Sequence, residues 1–257
     1  MIFNVNLNLN GDILNENIAN KLNHESIFRD MLLDTSNDLL ISNFSISVLG
    51  KPTSNSSGRP IYRISKYRTV ITGTTQELNQ RLEESTDLGS KPGAMALHTS
   101  NNKLYIALPN QGRIVKIDYS NNTLGSVSEF FNGLPKPVKD LAFDSKGTYL
   151  YVTAGDNTVM FRFTLNAEGN SDVFNGNFVS NMGTGNARMA LDSAGNIFTT
   201  IGTGVDWIDP NGKRSNVLFS FEGERPMIDL VFDKISETSQ NLYLNQLNST
   251  FLFKVTP

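Results

Sequence analysis

Cysteine is absent from this chain of 257 residues, which excludes disulfides, thiolate metal sites and a cysteine nucleophile. Histidine occurs only at His24 and His98, on separate segments, so neither a histidine metal cluster nor a Ser-His-Asp triad is expected. No basic block is present. The 22 basic and 25 acidic residues are spread along the chain with a net charge of −3, and the footprint of a nucleic-acid binder is missing. No apolar run approaches the roughly 18 residues of a membrane-spanning helix. The start lacks the basic and long apolar regions of a signal peptide. The expectation is a soluble protein with no membrane role, either cytoplasmic or secreted after removal of a leader preceding this numbering. P-loop, G-x-S-x-G and HExxH patterns are also missing. Gly183-Thr184-Gly185-Asn186-Ala187-Arg188 and Gly202-Thr203-Gly204 are glycine-rich, but they join strands rather than opening a helix.

What is present is a repeat. An apolar strand ends in Asp, a short polar turn follows, and second and third strands come after it. The clearest copy is Asp140-Leu141-Ala142-Phe143-Asp144, Ser145-Lys146-Gly147, then Tyr149-Leu150-Tyr151-Val152-Thr153. The next is Arg188-Met189-Ala190-Leu191-Asp192, Ser193-Ala194-Gly195-Asn196, then Ile197-Phe198-Thr199-Thr200. Equivalent turn positions are Asp34, His98, Asp144, Asp192 and Asp233, and three of the four intervals lie between 41 and 48 residues. That spacing is the length of a β-propeller blade.

An Asp at the strand end can accept backbone N–H groups two residues on, and Gly147 and Gly195 supply angles that a Cβ would penalise. His98 is read as a turn residue in the same position. The abundance of asparagine, 31 residues, suits turn chemistry. Asn43, Asn55, Asn121 and Asn248 fall in glycosylation sequons, which matter only in a secreted eukaryotic chain.

Third strands read Arg59–Ile64, Arg113–Asp118, Val159–Phe163, Val205–Asp209 and Phe251–Val255, each alternating with period 2. Weaker fourth strands are expected at Thr69–Ile71, Val127–Phe131, Val173–Val179 and Val217–Phe221. The predicted fold is therefore all-β: one propeller domain over residues 1–257, with five recognisable four-stranded blades. Residues 1–24 are expected to supply closing strands, because the last copy ends without a fourth strand. One strand, residues 2–9, is then surplus; it leaves a sixth blade open and could pair with another chain. Residues 74–92 are read as an insertion with a short helix, from the capping-box pattern Thr74-Thr75-Gln76-Glu77 and the Leu78/Leu82 pair.

The phrases Pro137-Val138-Lys139-Asp140-Leu141-Ala142-Phe143-Asp144, Gly112-Arg113-Ile114-Val115-Lys116-Ile117-Asp118 and Asp209-Pro210-Asn211-Gly212-Lys213-Arg214 resemble those of the senescence-marker/gluconolactonase-like propellers and related NHL-repeat proteins. The likeness spans roughly residues 25–257. It implies a channel mouth where Glu, Asn and Asp side chains hold a divalent metal that polarises a lactone carbonyl and activates water. Calcium, magnesium, manganese or zinc would serve. Glu25 stands about where the family's Glu would be, and Asn186 is the nearest further oxygen ligand. The other strand starts, read as Pro92-Gly93, Val138-Lys139, Ala187-Arg188 and Met227-Ile228, supply no Asn or Asp. Lys139 and Arg188 would bring positive charge to the cation's place.

The same cations suggest a different site. Arg29, Lys139 and Arg188 would converge on the channel mouth as a pocket for a carboxylate or phosphate. The plainer alternative pairs each with a nearby Asp or puts it outside the channel. The chain is accordingly read as a non-catalytic propeller without a cofactor, binding a small anionic ligand or a protein partner, or serving as a structural module. A metal-dependent lactone or ester hydrolase and a surface or assembly protein are the alternatives.

Overall fold

The computed structural model describes residues 27–33, 36, 38–44, 62–72, 75–220, 227–232, 242–246 and 252–255. Among the described residues the architecture is almost wholly β, in five antiparallel sheets that each run through consecutive strands. The first sheet is β1 (Ile27–Leu33), β2 (Leu39–Phe44), β3 (Tyr62–Thr72) and β4 (Thr75–Glu84). The second is β5 (Met95–His98), β6 (Lys103–Leu108), β7 (Arg113–Asp118) and β8 (Val127–Asn132). The third comprises β9 (Val138–Phe143), β10 (Tyr149–Ala154), β11 (Val159–Leu165) and β12 (Ser171–Val179). The fourth comprises β13 (Met189–Leu191), β14 (Ile197–Ile201), β15 (Gly204–Ile208) and β16 (Arg214–Ser220). The fifth has three described strands, β17 (Met227–Phe232), β18 (Leu242–Gln246) and β19 (Leu252–Val255). Glu25 and the expected closing strands, residues 1–24 including 2–9, lie outside the described residues.

Every repeat found in the sequence starts a sheet of its own. The chain forms two compact units, the first reaching Phe130 and the second beginning at Phe131. In the first, Leu40 and Ile64 pack with Leu104, Ile106, Leu108, Val115 and Ile117, the inward residues of neighbouring sheets. In the second, Tyr151 and Met160 meet Met189, Ile197 and Ile208. Val205 packs with Leu230, Leu242 and Leu244. Each such side chain contributes about 1.5–3 kcal/mol on burial, so the sheet-to-sheet faces dominate stability.

The expected helix does not form. Residues 75–84 are strand β4, paired along β3 from Thr72–Thr75 to Ser65–Glu84. Leu78 and Leu82 are four apart, a spacing that suits one face of a helix and, being even, one face of a strand. Thr69, Val70 and Ile71 extend β3 instead of forming a separate fourth strand, and the rich β-propensity of that stretch favours the hairpin. The long first interval thus holds an 11-residue β3 and a 10-residue β4.

The turns reach further than two residues. Asp144 Oδ1 accepts the Tyr149 N–H at 2.7 Å, and Asp192 Oδ1 accepts the Asn196 N–H at 2.8 Å, so each carboxylate spans its whole hairpin. Gly147 and Gly195 close these turns at φ +70° and +85°. His98 does the same work: its Nδ1 accepts the Asn101 N–H at 3.3 Å. The imidazole is a turn acceptor.

Tyr105 on β6 is fully buried, and that burial pushes its phenol from 10.0 up to about 12. The unfolded chain therefore releases this proton first, and stability falls as pH rises from about 10 to about 12. Denaturant melts across that range should show a shallower decline for Tyr105→Phe than for the parent.

Candidate functional site

The sequence-predicted residues Lys139, Asn186 and Arg188 all lie in the second unit, at or just before the starts of β9 and β13. At the start of β9 the ladder is interrupted. Asp140 faces Thr153 and Val138 faces Ala154, leaving Lys139 as the extra residue of a β-bulge. Bulges bend a strand and re-aim the side chain they carry. The bulge recurs: Arg29 is skipped between Phe28 and Asp30 on β1, and Ile228 between Met227 and Asp229 on β17. All three stand five residues before the turn Asp of their repeat. The same position in the other repeats is Gly93 and Ala187, and Ala187 sits in the left-handed region at φ +49°. Each of these four strand starts with a bulge or a positive φ is irregular at one repeat position.

The re-aimed Lys139 is half-buried. Its Nζ donates to Thr158 Oγ1 at 2.7 Å and to the Asp156 carbonyl at 3.4 Å. Burial lowers its pKa, opposed by the Asp156 charge. Among the described residues no carboxylate forms an ion pair with it.

Arg188 behaves differently, and register explains why. Counting back from the turn aligns Arg188 with Asp140, not with Lys139, so the strand-start alignment read from the sequence is one residue out. Neighbouring residues on a strand point to opposite faces. Arg188 Nη1 donates to Asp140 Oδ1 at 3.1 Å, and the other Asp140 oxygen accepts the Met189 N–H at 2.6 Å. This carboxylate ties the first strands of two successive sheets together. The Arg188 cation belongs to that tie.

The chain leading into β13 is held just as closely. Thr153 Oγ1 donates to the Ala187 carbonyl at 2.8 Å, and the Arg188 N–H donates to Thr200 Oγ1 at 3.0 Å. Gly185, at φ +152°, lies against the β14–β15 turn: a Cβ there would come within 3.0 Å of the Gly202 nitrogen. The glycine-rich stretch is a packed connection between sheets. Asn186 is exposed beside it. Arg29 belongs to the other unit, and only its backbone position on β1 is described.

Does this donor set suit a divalent cation? Calcium or magnesium needs about six oxygen ligands, several of them anionic. Asp140 is committed on both oxygens, an ammonium stands next to it in sequence, and no three His, Cys, Asp or Glu side chains gather as a metal site among the described residues. The described residues do not fit the metal.

No family model matches the sequence, and no curated protein matches it. Solved structures do match. A chain of a nidogen/laminin complex aligns over 90% of this chain and 76% of its own, with a TM-score of 0.60 and 12% identity. A protein assigned to the gluconolactonases aligns over 89% and 74%, with a TM-score of 0.59 and 18% identity. A gluconolactonase from Xanthomonas campestris aligns over 90% and 72%, with a TM-score of 0.59 and 13% identity. The fold is a β-propeller. The resemblance seen in the sequence phrases is thus upheld at the level of fold, which many functions share.

Within the propeller, sequence reasoning missed Asp140, Thr153, Thr158 and Ala187. A signal for the first was available. Four residues before each turn position stand Asp30, Ala94, Asp140, Arg188 and Asp229, so opposite charges stand at equivalent positions of two successive repeats.

Proposed function

We propose that this propeller acts by binding rather than catalysis, holding a ligand or protein partner that brings an anionic group to Lys139. The observation that carries the reading is the commitment of Asp140: its two oxygens hold Arg188 and the Met189 N–H. The acid next to the bulge in sequence is thereby occupied, and Lys139, which feels the Asp156 charge, forms no ion pair with a carboxylate among the described residues. A nidogen/laminin chain among the structural neighbours supports a protein partner.

The test is a thermal melt with chelator, then with calcium, magnesium, manganese or zinc, and separately with phosphate or citrate. A ligand at about 100 times its dissociation constant adds roughly 2.7 kcal/mol, a rise of several degrees. The expected result is no cation-specific rise and a rise with the anions that Lys139→Met reduces. A rise with one cation and none with anions would reverse the reading.

The second reading is a metal-dependent lactone hydrolase, favoured by the two gluconolactonase neighbours. It requires that lactone hydrolysis be found and that Glu25→Gln abolish it.

A further inference from the structure

Asparagine followed by glycine occurs at Asn10-Gly11, Asn132-Gly133, Asn175-Gly176 and Asn211-Gly212, the last three among the described residues. Such pairs can rearrange without an enzyme. The glycine backbone nitrogen attacks the asparagine Cγ, the Cγ–NH2 bond breaks, and ammonia leaves with the nitrogen's proton. Water then opens the resulting succinimide at either carbonyl, giving aspartate or isoaspartate. The step needs an accessible Cγ and a nitrogen free to move onto it. The fold treats the three pairs differently.

Asn132 is the last residue of β8 and is exposed. Gly133 lies beyond the strand, exposed, at φ +97°, with nothing within 4 Å of where a Cβ would be. Among the described residues no turn or loop hydrogen bond engages its N–H. At Asn211-Gly212 the attacking nitrogen is occupied, because the Gly212 N–H donates to the Asp209 carbonyl at 2.9 Å. Asp209 Oδ1 also accepts the Asn211 and Lys213 N–H groups at 2.9 and 2.8 Å, which fixes the whole turn. Asn175-Gly176 lies in β12 where the ladder to β11 is interrupted just after Asn175, and Asn175 Oδ1 accepts the Asn177 N–H at 3.2 Å. That side-chain bond resists rotation into the attacking geometry.

We infer that Asn132 is a built-in site of spontaneous deamidation and isoaspartate formation, whereas Asn211 and Asn175 are protected by their local structure. The product adds one negative charge, and in the isoaspartate form one extra backbone carbon, to the connection leading into β9 and the Lys139 bulge.

The folded protein, held at mildly alkaline pH, is sampled over time and peptide-mapped by mass spectrometry, beside a sample in denaturant. Releasing a turn hydrogen bond costs about 1 kcal/mol, so Asn132 should convert roughly fivefold faster than Asn211 in the folded protein. Asn175 should also lag behind Asn132. In denaturant the three rates should converge. Label from an isoaspartyl carboxyl methyltransferase should fall on the Asn132 peptide and vanish from it in Asn132→Gln. Equal folded-state rates, or Asn211 or Asn175 converting first, would overturn the inference.

Discussion

Asp140→Ala is expected to lower stability by about 3 kcal/mol, at the lower end of what breaking a buried ion pair costs. The lower end applies because the Arg188 side chain retains 20% exposure and can recover some hydration. Two losses combine. The guanidinium is left beside an apolar methyl group, and the Met189 N–H, held at 2.6 Å, loses its acceptor. At about 2–4 °C per kcal/mol for a domain of this size, the midpoint should fall by around 6–12 °C. Asp140→Asn should fall less, because an amide oxygen can still accept the Met189 N–H. The double change Asp140→Leu with Arg188→Leu should cost less than the sum of its parts, since removing both charges leaves neither stranded. Thermal melts of Asp140→Ala, Asp140→Asn, the double variant and its two single Leu changes check this, and an additive double variant would show that the pair contributes nothing as a pair.

This tie also shows where sequence reading stops. The repeats were legible because alternation with period 2, a turn Asp and a following glycine all recur, and each has a local physical cause. His98 could be placed for the same reason, since its ring nitrogen meets the turn as a carboxylate oxygen does. The cross-sheet pairing was missed, although the repeat itself sets Asp140 and Arg188 at equivalent positions. It depends on which of two adjacent residues shares the phase of Asp140, and variable connections between repeats shifted the alignment by one. A one-residue slip reverses the face on which a side chain stands. Lys139 and Arg188 look alike in the sequence as cations at strand starts, yet one is re-aimed by a bulge and the other neutralises Asp140.

The β4 segment failed for a different reason. Its local signals were those of a helix start, and the hydrogen bonds that decide its state come from β3, which the pattern had ended too early. Tertiary pairing outweighed a weak local preference. Of the candidate site, the cations were legible as residue types, while the bulge that re-aims Lys139 and the positive φ of Ala187 have no signature in residue identity.

The other large effect is expected at Lys66, in the first unit. Its ammonium is buried, 2.8 Å from Tyr119 Oη, 3.2 Å from Asp38 Oδ2 and 5.2 Å from the centre of the Tyr119 ring. These contacts join the β1–β2 turn, β3 and the end of β7. Lys66→Met keeps the apolar stem but leaves Asp38, whose side chain is 14% exposed, without its cation. The expected loss is about 3 kcal/mol. Tyr119→Phe should cost about 1.5–3 kcal/mol, the range for a hydrogen bond to a charged group. The comparison that isolates burial is Lys103→Met. Lys103 pairs with Asp118, whose side chain is 52% exposed, and such a surface pair contributes no more than about 1 kcal/mol. Salt should weaken the Lys103 contribution and leave that of Lys66 nearly unchanged, because screening acts on exposed charges far more than on buried ones. Denaturant melts of the three variants at low and high salt separate the two cases. Similar losses at both lysines, or an equal response to salt, would mean that the Lys66 cluster behaves as a surface contact and does not lock the first two sheets.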